Sequence, residues 1–316
     1  MPTVTKQKPF GNTKPAPGSI LGQAIAVEQM PEAPLKLLIY GQNRVGKTTL
    51  ACQWLKPLLL ISWEPSLSGG MESVRKVKGV SCVHVVPRSS PLLQAKDRPA
   101  WLLTTDDALQ LCQELRVNRP FASVVFDGAT SCQDVQLTDI LDLPAAPDQM
   151  SWGMVTGDQY RQRSERTREV IRPFLDLPMD TVILAKERDH NPPKEERVSA
   201  SGKVQPDMRA KFLRGVGSGS FIAADLGGAT VGWLQDACDG ILRLSVEEEI
   251  EERRVRLDAK GPEVVTEHPT GRFIRHLRCC YHPNYAAGIR SCRPEAVPEV
   301  IAAPTYQKLI AVLRGK

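Results

Sequence analysis

No apolar run in the sequence approaches the roughly 18 to 20 residues that a membrane-spanning helix needs, and residues 1 to 17 lack the apolar segment of a secretory leader. A soluble, cytoplasmic protein with no membrane partner is expected. CxxC pairs are absent. The eight cysteines (Cys52, Cys82, Cys112, Cys132, Cys238, Cys279, Cys280 and Cys292) are scattered along the chain, which argues against a disulfide framework and for reduced thiols, most of them small core residues. A strong charge bias is also missing. Lys and Arg total 41 against 36 for Asp and Glu, a formal +5, which neither requires nor excludes nucleic acid, so a charged partner must be argued from local placement. Aromatic residues are only 5 % of the chain, and no internal repeat is present.

What is there is enough length, 316 residues, for about two units or one large α/β domain with extensions. Residues 1–34 carry Pro2, Pro9, Pro15, Pro17, Pro31 and Pro34 with little apolar density, and read as a flexible arm. Its one apolar patch, Ile20 to Val27, could pack on this subunit or on a neighbour. The domain itself is expected over 35–316. Leu37 to Tyr40, Leu58 to Ser62, Val83 to Val86, Ser123 to Phe126 and Thr181 to Ala185 are continuous apolar runs of four or five residues. Such runs indicate strands buried on both faces of a parallel sheet. Between them, Thr105 to Leu115 and Asp158 to Leu175 place apolar residues at helical spacing. Alternating strands and helices mean a doubly wound α/β sheet. The last hundred residues differ: Ile241 to Val246, Arg254 to Leu257, Glu263 to Thr266 and Arg272 to Cys279 read as four strands joined by tight turns, an antiparallel extension. A closing helix follows Pro304.

The most specific motif is Gly41-Gln42-Asn43-Arg44-Val45-Gly46-Lys47-Thr48, which matches Gly-x4-Gly-Lys-Ser/Thr directly after a buried strand and before a helix expected over Lys47 to Leu55. The glycines let backbone amides surround the phosphates of ATP, with Thr49 next in the cradle. Lys47 bridges the β- and γ-phosphates and the Thr48 hydroxyl binds Mg2+. A second Mg2+-side group is expected at the end of a neighbouring buried strand, and Ser123-Val124-Val125-Phe126-Asp127 delivers one: Asp127 is either that carboxylate or a turn-capping residue. Glu64, just after Leu58-Leu59-Leu60-Ile61-Ser62, either orients the attacking water as a catalytic base or is an exposed glutamate at a strand end.

In this order of parts the sequence resembles the RecA-like branch of P-loop ATPases. More closely it resembles the bacteriophage AAA-domain ATPases grouped with Sak-type single-strand annealing proteins. The resemblance is carried by the P-loop, Ile61-Ser62-Trp63-Glu64, Val124-Val125-Phe126-Asp127, Val182-Ile183-Leu184-Ala185-Lys186-Glu187-Arg188 and Tyr285-Ala286-Ala287-Gly288-Ile289-Arg290, and covers about residues 35 to 292. It implies a RecA-like α/β fold with a mostly parallel sheet and an antiparallel carboxyl-terminal extension, and a Mg2+-dependent, DNA-stimulated ATPase assisting recombination or annealing in the cytoplasm of a phage's bacterial host. It also implies a polar sensor, here Lys186 where relatives often carry Gln or His. Gln42-Asn43-Arg44-Val45 in place of the Pro-Pro-Gly common in AAA proteins favours RecA-like relatives over AAA+ motors.

Two DNA-binding loops are implied as well, about Pro144 to Gly157 and His190 to Ser220. Within the second, Lys203, Arg209, Lys211 and Arg214 would neutralise phosphates and Phe212 would stack on a base; the residues by themselves are equally those of a solvated loop. Implied partners are single-stranded DNA, further copies of the chain in a filament or ring, and a single-strand binding protein. With ATP between subunits, a trans-acting residue is expected, assigned to Arg275 or Arg278. Two rivals stay open: a helicase-loader or packaging-type motor acting on protein, and a nucleotide-gated binding module that does not hydrolyse. His276, Cys279, Cys280, His282 and Cys292 match no familiar zinc spacing.

Overall fold

The structure is a computed structural model, described here over residues 32–66, 71–143, 155–189, 221–256, 263–290 and 294–315. The arm expected over 1–34 lies outside these residues except at its last three positions. In the first half the chain runs β1 (Lys36–Gly41), α1 (Lys47–Ala51), β2 (Leu58–Ser62), α2 (Met71–Val74), β3 (Val80–Val85), β4 (Leu102–Leu103), α3 (Thr105–Asn118), β5 (Ser123–Asp127) and α4 (Ala129–Leu141). It continues through α5 (Gly157–Leu175), β6 (Asp180–Asp189), β7 (Ile222–Ala224), α6 (Gly228–Ala237), β8 (Gly240–Arg256), β9 (Glu263–Arg278), β10 (Gly288–Ile289), β11 (Val300–Ala302) and α7 (Tyr306–Arg314).

The strands form one sheet in the order β11-β9-β8-β1-β6-β5-β2-β3-β4, with β10 beside β8 and β7 beside β6. All neighbours from β8 to β4 are parallel, and the antiparallel pairs are β8 with β9, β9 with β11, β8 with β10 and β6 with β7. This is the α/β class expected from the sequence, with its antiparallel extension at the carboxyl-terminal end. The continuous apolar strands are explained by cover on both sides. Leu38, Tyr40, Val124, Phe126 and Ile183 pack with residues of α3, α4, α5 and α6; Leu37, Ile39, Leu60, Val125 and Leu184 pack with residues of α1 and α7. Two of the long helices, α3 and α5, begin with a reciprocal capping box, Thr104 with Asp107 and Thr156 with Gln159.

Two expectations need correction. The four short late strands are two long ones, β8 and β9, paired from Arg243↔Arg278 to Arg256↔Glu263. The hairpin runs past its sheet and is wet on both faces, so Glu247 and Glu248 are exposed there and carry charge without a desolvation cost. The first part of β8 is moreover parallel to β1, so the antiparallel portion begins only at β9. The helix after the P-loop ends at Ala51, not Leu55. Trp54 and Gln53 leave the helical path to meet α7: the Trp54 ring lies edge-on to Tyr306 at 5.0 Å, and Gln53 Oε1 accepts the Tyr306 amide at 3.2 Å.

Cys52, Cys112, Cys132, Cys238 and Cys279 are buried free thiols, and burial pushes Cys52, Cys238 and Cys279 up to about 12. They behave as small apolar core residues. Among the described residues no helix is long and apolar enough to cross a membrane.

Candidate nucleotide site

β1 delivers the P-loop to the carboxyl edge of the sheet. Gly46 caps α1 with φ +93°, a left-handed conformation that suits glycine, and it makes no side-chain cap hydrogen bond. The first amides of the loop and helix are thus left for an anion. Gly41 answers a different need. A Cβ there would lie 2.1 Å from the carbonyl oxygen of Leu244 on β8, so the strand can sit against the loop only because position 41 has no side chain.

Lys47 folds back over the loop, where its Nζ donates to the carbonyls of Gly41 (2.9 Å) and Gln42 (2.7 Å). Burial lowers its pKa, opposed by the carboxylates of Asp127, Glu64 and Glu187 and reinforced by Lys186. The Thr48 hydroxyl donates to Asp127 Oδ2 at 2.9 Å. Asp127 ends β5 and is 4 % exposed. Burial raises its pKa to about 6, with Glu64 adding to the rise and the Thr48 hydrogen bond and Lys47 opposing it.

Neighbouring strands bring in the rest. The amide of Trp63, just past β2, donates to the Asp127 carbonyl at 2.8 Å, which holds the following residue, Glu64, beside Gly128. A Cβ on Gly128, itself at φ +101°, would stand 3.2 Å from Glu64 Oε1. Lys186 lies opposite Gly41 on β6, and its amide donates to Thr130 Oγ1 at 3.1 Å. Next to it, Glu187 pairs with Arg243 of β8 at 3.0 Å, both nearly buried, and the Arg243 guanidinium lies 4.2 Å from the Tyr285 ring. Lys47, Thr48, Asp127, Glu64 and Lys186 therefore converge at the carboxyl ends of β1, β5, β2 and β6.

Of the other expected residues, Gln42, Asn43 and Arg44 form the exposed rim of the loop, Val45 packs inward and Thr49 lies in α1. Lys203, Arg209, Lys211, Phe212 and Arg214 lie outside the described residues. Arg275 and Arg278, expected to reach a neighbouring subunit, are engaged within their own chain. Arg278 pairs with Glu299, and Arg275 Nε donates to the Val45 carbonyl at 3.0 Å. That last contact joins residues 230 positions apart, as does the approach of Leu244 to Gly41 in kind. No sequence pattern announces either.

The donor set fits Mg2+ and a triphosphate: a hydroxyl and a carboxylate already one hydrogen bond apart are the hard oxygen ligands that Mg2+ takes, and the amide-lined loop with its lysine suits phosphate.

The chain belongs to the AAA domain family, whose pattern it matches over residues 33–273. No curated protein matches the sequence. Among solved structures it is similar to a KaiC-like protein from the hyperthermophilic archaeon Pyrococcus horikoshii OT3, with 11 % identity, a TM-score of 0.33 and coverage of 85 % of this chain and 90 % of that one. It is also similar to the flagellar accessory protein FlaH from Methanocaldococcus jannaschii, with 10 % identity, a TM-score of 0.34 and 85 % of each chain covered. Likenesses at this level are remote, and the chemistry of the site rests on the family and on the geometry above.

Proposed function

We propose that this AAA-domain, RecA-like chain is a Mg2+-dependent ATPase that acts on single-stranded DNA in phage recombination or annealing. The observation that carries the ATPase part is the convergence of Lys47, Thr48, Asp127 and Glu64 on adjacent strand ends. Lys47 Nζ is bonded to two neutral carbonyls of the loop; exchanging them for phosphate oxygens pairs the ammonium with full negative charge. Thr48 and Asp127 are the residues to hold Mg2+, which when bound neutralises charge on the β- and γ-phosphate oxygens. Glu64, half-buried beside Gly128, orients and deprotonates the attacking water. Lys186 adds a positive charge at the same edge, aimed at charge that develops on the transferred group.

Glu64→Gln tests this assignment. The amide keeps the shape but cannot take a proton, so ATP binding should stay as in the parent while single-turnover hydrolysis falls by about 10² to 10⁴. Unchanged turnover would mean that another group orients the water.

The DNA part rests on the resemblance and on chain order. β6 ends at Asp189, three residues past Lys186, and residues 190–220 follow it in the chain, so a ligand of that segment is linked by one short stretch of sequence to the nucleotide edge. Binding there could alter the position of Lys186, and ATP-dependent self-assembly would follow if copies of the chain line up along one strand. Replacing Lys203, Arg209, Lys211 and Arg214 with Ala should weaken single-strand binding and reduce the slope of log affinity against log salt by about 0.7 per lost phosphate contact. Basal ATPase should persist and DNA stimulation should fall. Titration of a labelled oligonucleotide at several salt concentrations measures this. Identical affinity and slope in the two proteins would move the helicase-loader reading ahead.

A further inference from the structure

β8 and β9 do not stop at the edge of the sheet. Tyr40 is level with Arg243 in the parallel pairing of β1 and β8, so β8 from Leu244 onward, and β9 up to Arg275, run out beyond the sheet beside the P-loop. The hairpin rests on both glycines of the motif: the Leu244 carbonyl on Gly41, and the Arg275 guanidinium on Gly46, where a Cβ would lie 2.7 Å from Nε. With its hydrogen bond to Val45, Arg275 fixes the far side of the loop from within the same chain.

The sheet order sets which way a nucleotide must lie. Asp127 and Glu64 mark the γ-phosphate end, and they stand on β5 and just past β2, to one side of β1. β8 and β9 stand on the other side. A triphosphate held by loop amides, with Lys47 at its β- and γ-groups, therefore points its nucleoside toward the hairpin.

What the hairpin offers there is apolar. Side chains alternate along a strand, so Phe273, Arg275 and Leu277 share one face of β9. Leu244 and Val246 share the corresponding face of β8, since Val246 pairs with Arg275 and Glu248 with Phe273. Leu244 and Leu277 pack with Val45 and Leu50 of the P-loop and α1. Phe273 and Val246 continue that same face past the sheet, Phe273 about 7 Å beyond Arg275 at two residues along the strand. Phe273 is 69 % exposed and Val246 39 %, so the fold itself makes little use of either. The carboxylate of Glu248, opposite Phe273, is taken by the Gly271 amide at 3.0 Å.

We propose that the β8–β9 hairpin completes the nucleotide site in cis: Phe273, with Val246 beside it, is the platform on which the adenine base stacks, and Arg275 is a positioning residue that braces the P-loop. The proposal rests on the ATP-binding reading and extends it to the base. Stacking on an aromatic ring is tolerant of base identity, so this platform binds the nucleoside without selecting adenine over guanine.

The test compares ATP, ADP and inorganic tripolyphosphate, which has no nucleoside, by equilibrium binding to the full chain. The parent should bind ATP more tightly than tripolyphosphate. Phe273→Ala should lose about tenfold in affinity for ATP and for ADP, about 1.4 kcal/mol, with tripolyphosphate unchanged, and Phe273→Trp should restore the parent's affinity. Arg275→Ala should weaken all three, because the loop itself is loosened. Phe273→Ala binding ATP like the parent, or losing tripolyphosphate in equal measure, would overturn the platform; Arg275→Ala binding all three like the parent would overturn the brace. A parent that binds neither ATP nor tripolyphosphate would instead defeat the ATP reading, so the two failures are distinguishable. Phe273 is mostly exposed, and a thermal melt of each variant checks that it is folded.

Discussion

Lys47→Ala should reduce ATP affinity by at least a hundredfold, about 2.7 kcal/mol, and bring hydrolysis to background. Its Nζ already lies inside the loop, on the carbonyls of Gly41 and Gln42, and among the described residues the nearby cations are placed otherwise: Lys186 comes from the next strand and Arg275 is held on the outside of the loop by the Val45 carbonyl. The fold should survive. Both partner carbonyls can turn to water, and burial already lowers the pKa of Lys47, so its removal also relieves the cost of a partly desolvated charge. Isothermal titration with ATP, together with circular dichroism, measures both halves. A folded variant that binds and hydrolyses ATP like the parent would remove the basis of the site.

Asp127→Asn should have two effects of opposite sign. Turnover with Mg2+ should fall by a hundredfold or more, because a neutral amide is a poor ligand for a hard divalent cation. In metal-free buffer the same variant should be more stable than the parent at pH 7.5. Asp127 is buried, and its pKa of about 6 stands above the ordinary value of 3.8. Between those two values the folded protein binds more protons than the unfolded chain, so stability falls as pH rises through this window, and above about pH 6 the whole cost is present. About two pKa units correspond to roughly 3 kcal/mol, a net cost in which the opposing Thr48 and Lys47 interactions are already included. Asn carries no charge to bury, and its Oδ1 can still accept the Thr48 hydroxyl. Thermal melts in EDTA should show the variant a few degrees above the parent at pH 7.5, with the gap closing toward pH 4. Equal melting points at both pH values would contradict the buried-charge account.

The parts that were legible beforehand share a physical property: their signal is local. Buried parallel strands need apolar side chains on both faces, so five continuous runs marked the centre of the sheet. The P-loop needs two glycines, a lysine and a hydroxyl at fixed spacing because the phosphate is gripped by consecutive amides. Asp127 and Glu64 could be picked out because a strand end is where a parallel sheet presents its chemistry. The P-loop helix was overextended for a complementary reason. Its pattern ran on to Leu55, but the packing of Trp54 and Gln53 against α7, some 250 residues later in the chain, ends it at Ala51.

The sequence alone thus determined the class of fold, the phosphate loop and the two carboxylates that accompany it, since each is encoded within a few neighbouring residues. Tertiary structure alone decided which strands stand side by side, and with them the environment that raises the Asp127 pKa. It alone brought Leu244 against Gly41 and Arg275 against Gly46, and joined the charged stretch after Val246 into a hairpin beside the nucleotide loop. Those outcomes depend on contacts between segments far apart in the chain, where the preferences of each segment taken singly say nothing about which partner it meets.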